Sequence, residues 1–206
     1  MLRVITYIDG FNLYFGLKSK GWKKYYWLDL ASMSKSFLKQ DQTLVACHYF
    51  TARIKGSRSS AQSEKKQNVW LEALETRSDI ELHFGHYLQK EIKCRNCGAS
   101  WQSNEEKMTD VNIATQLLID AFNDDFDVAI VVSGDSDLTT PIQNVIKLFS
   151  NKKIIVAFPP NRHSIQLKQV ASGYISIGED KLRNNLLPNT IEKQDGHTLT
   201  RPSEWY

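Results

Sequence analysis

The chain has 206 residues, 41% of them hydrophobic, which suits one domain with a sizeable core plus an insertion or a tail. No run reaches the roughly 18 apolar residues of a membrane span, so no membrane partner is expected. The formal net charge is only +3, so composition alone does not announce a nucleic-acid partner. The three cysteines, Cys47, Cys94 and Cys97, are too few and odd in number for a disulfide framework, and a cytoplasmic protein is the expectation.

In chain order, Arg3–Ile8 reads as a buried strand; its apolar run stops at Asp9 with no small-residue cleavage site, unlike a signal peptide. Gly10–Leu17 turns out of it into a helix, and Trp27–Phe37 continues with apolar positions. Leu44–Phe50 is a second strand and Thr51–Ser63 a polar loop. Helical spacing resumes at Val69, Leu71, Ala73 and Leu74, and Ile80–Leu88 alternates as a third strand. The charged segment 90–107, holding Cys94 and Cys97, reads as an insertion. A helix follows, capped by Thr109 or Asp110, with Ile113, Leu117 and Ala121 on its apolar stripe. Asp127–Ser133 is a fourth strand. Thr140 and Pro141 suit the N-cap and first position of the next helix. Ile154–Phe158, a helix around Ser164–Ala171 and a short edge strand Tyr174–Ile177 complete a domain over 1–178. The tail, 179–206, has little periodicity and reads as a surface wrap or a partly disordered segment, with closing aromatics that can dock. Strands alternating with helices imply an α/β fold with a mostly parallel sheet.

The acids sit at telling places. Asp9 ends the first strand, Asp135 and Asp137 follow the fourth, and Asp110 opens the long helix on the same sheet edge. In open α/β sheets ligands bind outside the carboxyl ends of the strands, where strand order reverses. Carboxylates gathered there repel one another unless a divalent cation lies between them, and hard oxygen ligands select Mg²⁺ or Mn²⁺. Such an ion orients a phosphodiester and lowers the pKa of a bound water. The remaining acids of this kind, Asp41, Asp79, Asp124, Asp125 and Asp127, read as turn or cap residues.

Three segments carry a resemblance. YIDGFNLYFGL, EKMTDVNIATQLLIDA and VVSGDSDLTTPIQ, in this order and spacing, resemble the motifs of the NYN domain family of PIN-like ribonucleases, in its bacterial LabA-like branch. VAFPPNRHSIQL and RPSEW are similar to later segments of the same branch. The resemblance implies a PIN-like three-layer α/β/α sandwich and Mg²⁺- or Mn²⁺-dependent endoribonucleolytic cleavage of RNA. By motif, Asp9, Asp110 and Asp135 match metal-binding acids and Asp137 a further acidic position. Asn12 matches the polar companion of the first acid, and its amide can bond a carboxylate or a phosphate. Ser133 is either an orienting hydroxyl or a small turn residue. Hydrolysis by a metal-activated water needs no histidine, and the five histidines occupy no shared motif. The alternative reading is a noncatalytic RNA- or protein-binding module on the same fold.

Two other enzyme classes are disfavoured. A haloacid-dehalogenase-like phosphatase needs a second Asp where Phe11 stands, and YIDGFN lacks the glycine fingerprint of a dinucleotide site. Cys94 and Cys97 have the spacing of a zinc knuckle but need two more ligands for a structural Zn²⁺. His83 and His86 are nearest, and both can serve only if the strand breaks at Gly85. For phosphate contacts the candidates are Lys23, Lys24, Arg53, Lys55 and Arg58. Tyr14, Phe15 and Trp27 are expected in the core. A protein partner or a homo-oligomer stays open.

Overall fold

A computed structural model of the chain describes residues 1–54 and 61–206, and in 87–90 and 101–106 the backbone alone. A parallel sheet is its frame: β1 (Leu2–Asp9), β2 (Gln42–Thr51), β3 (Ile80–Phe84), β6 (Val128–Val132), β7 (Lys153–Phe158) and β8 (Gly173–Ser176), six strands among the described residues, in the order β3-β2-β1-β6-β7-β8. The remaining strands are β4 (His86–Lys93) with β5 (Ser100–Lys107), and β9 (Thr190–Glu192) with β10 (Thr198–Thr200), each an antiparallel pair. The helices are α1 (Gly10–Ser19), α2 (Leu30–Lys35), α3 (Ala61–Glu75), α4 (Thr109–Phe122), α5 (Thr139–Leu148), α6 (Ile165–Val170) and α7 (Glu179–Arg183).

The apolar run of β1 is buried on both sides, and its period of two divides it between two cores. Val4 and Ile8 join Leu13, Leu17, Trp27, Leu30 and Leu71 under α1, α2 and α3. Ile5 and Tyr7 join Ile113, Leu117, Ile142 and Val145 under α4 and α5. The same division holds in β6, where Val128, Ile130 and Val132 face the first core and Ala129 and Val131 the second. This is a three-layer α/β/α sandwich, as expected. The chain leaves β1 toward β2 and later returns to β1's other side with β6, so the crevice between β1 and β6 is the point where strand order reverses.

Several sequence expectations shift. The third strand breaks at Gly85, whose amide bonds the Thr51 carbonyl, so Ile80–Leu88 is two strands. The 90–107 segment is largely the β4–β5 hairpin. The N-cap of α4 is Met108, in the left-handed region (φ 81°), and Thr109 and Asp110 lie inside the first turn. Thr140 does not cap α5, which starts one residue earlier, straight from the 3₁₀ turn Ser136–Leu138. Tyr14 and Phe15 are exposed at their ends, at 42% and 41%, because they lie on the outer side of α1; Trp27 is buried as expected.

The tail is more than a wrap. Leu182, Leu187, Leu199 and Trp205 are buried in the first core, and Leu28 bridges Leu186. The Arg201 guanidinium donates to the carbonyls of Lys24 (2.6 Å) and Trp205. Trp205 stacks edge-on against Tyr26 at 5.7 Å and beside Trp27 at 6.3 Å. A Trp205→Ala substitution is therefore expected to cost about 3 kcal/mol in urea unfolding, the usual loss for a buried large aromatic. A loss below about 1 kcal/mol would mean the tail lies on the surface without anchoring.

Candidate active site

Asp9 is the last residue of β1 and the N-cap of α1. Its side chain is 2% exposed. One oxygen, Oδ1, accepts the Asn12 backbone N–H at 2.9 Å, and Oδ2 accepts the Asn12 amide at 2.7 Å and the Ser133 hydroxyl at 2.8 Å. Strand passes to helix with no linking residue because position 10 is glycine: a Cβ there would lie 2.6 Å from the Phe50 carbonyl and the Tyr49 hydroxyl.

Ser133 follows β6, which pairs in register with β1, and so stands beside Asp9. Its hydroxyl donates to Asp9 and accepts the Asp135 N–H at 3.0 Å. Asn12 closes the circuit, its Oδ1 accepting the Gly134 N–H at 3.2 Å. Ser133 is thus the orienting hydroxyl of the two readings, and the Asn12 amide is committed to a carboxylate. Asp135 caps the 3₁₀ turn by accepting the Asp137 N–H at 3.0 Å; Asp135 is half-buried and Asp137 exposed. Asp110, half-buried, lies in the first turn of α4, a helix that packs against that 3₁₀ turn. Gly134 meets the backbone of Arg162, where a Cβ would stand 2.8 Å away, so the loop after β7 brings an exposed arginine to this edge.

Burial pushes the Asp9 carboxyl above the ordinary range; the bonds from Asn12 and Ser133 pull it back, and the Asp135 charge pushes it further up. The four acids share one edge, but no three of them bring carboxylate oxygens within 4.8 Å of one another. Among the described residues, the set of three or more His, Cys, Asp or Glu ligand atoms lying within 4.8 Å of one another is His48, Glu81 and His83. The donor set still fits a Mg²⁺ or Mn²⁺ ion, which takes one or two carboxylates and keeps several waters.

The other sequence candidates fare differently. Cys94 and Cys97 sit in the turn of the β4–β5 hairpin, closed by Gly98 N–H to the Cys94 carbonyl at 3.0 Å. Backbone N–H groups of Cys97 and Asn96 hold the Cys94 thiol below its usual range. Among the described residues they find no third ligand, because His83 turns toward His48 instead. Lys24 pairs with Glu179 at 3.1 Å and Arg53 with Glu75 at 3.3 Å, while Lys23 is exposed; Lys55 and Arg58 lie outside the described residues. Lys23 borders a cavity of about 380 Å³ running from Gly10 and Phe11 past Tyr14, Tyr26 and Trp70 to Trp205. Sequence reading missed His48, which stands in no motif, and gave Asp120 no role although it lies in the second motif; the packing of α4 on β2 brings the two together.

A family model described as "NYN domain" matches residues 3–178, and the chain belongs to that family. Its members are generally PIN-like nucleases, divalent-metal dependent and acting on RNA, which makes this chain a hydrolase at that coarse level. Over its whole length it is 28% identical to 6-hydroxy-3-succinoylpyridine 3-monooxygenase HspA of Pseudomonas putida (strain DSM 28022 / S16), covering 76% of that protein. The crystal structure of VPA0982, a protein of unknown function from Vibrio parahaemolyticus RIMD 2210633, shares the fold: TM-score 0.55, 20% identity, 90% of this chain and 96% of that one. No helix among the described residues is long and apolar enough to cross a membrane.

The raised Asp9 pKa has a sign that can be tested. The folded chain holds this proton at pH values where the unfolded chain has released it, so its contribution to stability is present in acid and lost as pH rises through the folded value. At pH 7 without metal, the Asp9 and Asp135 charges should therefore oppose folding. Asp135→Asn keeps an Oδ1 for the cap, and in EDTA it should melt at or above the wild-type temperature at pH 7, the gap closing toward pH 4. A clear drop at pH 7 would make Asp135 a purely structural acid.

Proposed function

We propose that the chain is a metal-dependent endoribonuclease whose centre is the Asp9–Ser133–Asp135 edge, with Asp110 and Asp137 completing its acidic rim. The observation that carries the reading is the buried Asp9 carboxylate, held at the strand-order reversal and raised by burial and by Asp135. A Mg²⁺ or Mn²⁺ ion there would be held by Asp9 and Asp135, with Asp110 bonding its waters, and would supply an activated water and charge stabilisation at a phosphodiester. Asn12 and Ser133 fix the Asp9 carboxylate so that it does not swing when substrate arrives. Asp137, exposed at the rim, would accept the proton of an attacking water. Lys23 and Arg162 offer phosphate contacts, and the aromatic cavity beside α1 can seat an unpaired base on Tyr14 or Tyr26.

A second reading is an oxygenase acting on a small aromatic ring, favoured by the full-length likeness to HspA. The apolar cavity suits such a ring as well as it suits a base. A noncatalytic module would bind RNA and leave it whole.

Labelled single-stranded and structured RNA, incubated with Mn²⁺ or Mg²⁺, separates these. Metal-dependent cleavage is expected, falling about 100-fold or more in Asp9→Asn and Asp135→Asn, the several kcal/mol an ion supplies. Equal cleavage by wild type and both variants would reveal a contaminant. Binding without cleavage would favour the module, and oxygen uptake that needs both a hydroxypyridine substrate and an added two-electron reductant the oxygenase.

A further inference from the structure

Beneath α4, on the strands away from β6, lies a second polar cluster that the acidic edge does not use. His48 on β2 is 4% exposed, and in register it pairs with Tyr7 of β1 and Glu81 of β3. His83 follows Glu81 by two residues, so both face the same side as His48. The His48 Nδ1 stands 2.9 Å from His83 Nε2 and 3.4 Å from a Glu81 carboxylate oxygen, and His83 Nε2 is 3.7 Å from the other. Tetrahedral coordination at 2.0–2.2 Å needs donor atoms about 3.3–3.6 Å apart. This triangle is already near that size.

We infer that His48, His83 and Glu81 form a binding site for one first-row transition-metal ion, of the kind that imidazole favours, separate from the acidic edge. The supporting shell is what distinguishes it from a chance meeting of side chains. His48 Nε2 faces Asp120 at 3.4 Å, and Asp120 itself accepts Tyr7 Oη at 2.6 Å and Gln116 Nε2 at 2.7 Å. Asp120 is buried at 5% exposure. A carboxylate accepting the far N–H of a ligating histidine sets the tautomer and aims the other nitrogen at the metal. Here that arrangement leaves the Nδ1 lone pair of His48 pointing at His83 and Glu81. The His83 ring is fixed in turn by stacking on Phe50, at 4.5 Å and 16° between planes.

With His48 in that tautomer and no ion present, the 2.9 Å bond between the rings needs the proton on His83 Nε2. A metal takes its place when His83 carries its proton on Nδ1 instead, so no charge needs to be expelled. Two imidazoles and one carboxylate leave at least one position open. A cleft bordered by Asn112, Thr115 and Gln116 of α4 reaches His83. Asp9, Phe50 and His83 lie on one row of register, so the two centres are roughly 10 Å apart, two inter-strand spacings. They share the α4 layer but no ligand.

Cobalt(II) tests the site, because a four-coordinate ion absorbs visible light far more strongly than a hexa-aqua one. The host is the full chain carrying Cys94→Ser, Cys97→Ser and Asp9→Asn, which removes the thiols and weakens the acidic edge. One Co²⁺ per chain with intense visible bands, displaced by one Zn²⁺ and indifferent to excess Mg²⁺, is the expected result. Asp120→Asn should weaken Co²⁺ binding about 10–100-fold through the tautomer of His48. Glu81→Gln, whose side chain is 64% exposed, should weaken it without a loss of melting temperature in EDTA. No stoichiometric Co²⁺, or Co²⁺ binding unchanged in Glu81→Gln and His83→Ala, would overturn the site. Neither outcome bears on RNA cleavage, which is read with Mg²⁺.

Discussion

A carboxylate removed from water at the end of a central strand is the constraint around which this edge of the molecule is built. Asp9 can be charged there only because Asn12 and Ser133 bring three donors to its two oxygens. Those donors come from α1 and from the segment after β6, so the bonds also fasten the first helix to the returning strand. Taking one partner away leaves a buried charge uncompensated, which is costlier than losing an ordinary hydrogen bond. Glycines at 10 and 134 follow from the same demand, since each lets backbone approach where a side chain would block it.

The two faces of the sheet divide the labour. Under α1, α2 and α3 the core is aromatic and aliphatic, closed by the tail through Trp205 and Arg201. Under α4 it contains a polar strip, Tyr7, His48, Asp120 and Gln116, whose members bond one another. Burial pushes the Asp120 carboxyl up, but the bonds from His48, Tyr7 and Gln116 outweigh it and hold it below its usual range. At the opposite end of the sheet, ordinary ion pairs stabilise the exits: Arg3 with Asp124 and Asp127, Arg77 and Lys35 with Asp79. Asp79, Asp124 and Asp127 are thus turn acids, as their sequence positions suggest.

Much of the frame was legible in the chain because its signals are local. Val128–Val132 can be little else than a strand buried on both faces, and α4 and α5 announce themselves by their spacing. The glycine that splits β3 from β4 was visible as a conditional break. What stayed hidden depends on pairing between distant strands. Nothing in HYF or ELHF tells that His48 and His83 meet, because the register of β2 on β3 decides it. The tail looked aperiodic because its short elements bury single residues, Leu182, Leu187, Leu199 and Trp205, instead of a repeating face. The four acids lie at the carboxyl edge of the sheet, but spacing along a sequence does not fix how closely carboxylates approach.

The central claim is that the charge held at Asp9 and Asp135 is completed by a hard divalent cation. Electron paramagnetic resonance of Mn²⁺ titrated into the protein reads this directly, since bound ion loses the sharp signal of free Mn²⁺. One Mn²⁺ site per chain, competed by Mg²⁺ and lost in Asp9→Asn, is the result this account predicts. Mn²⁺ binding of equal strength in wild type and Asp9→Asn would contradict it.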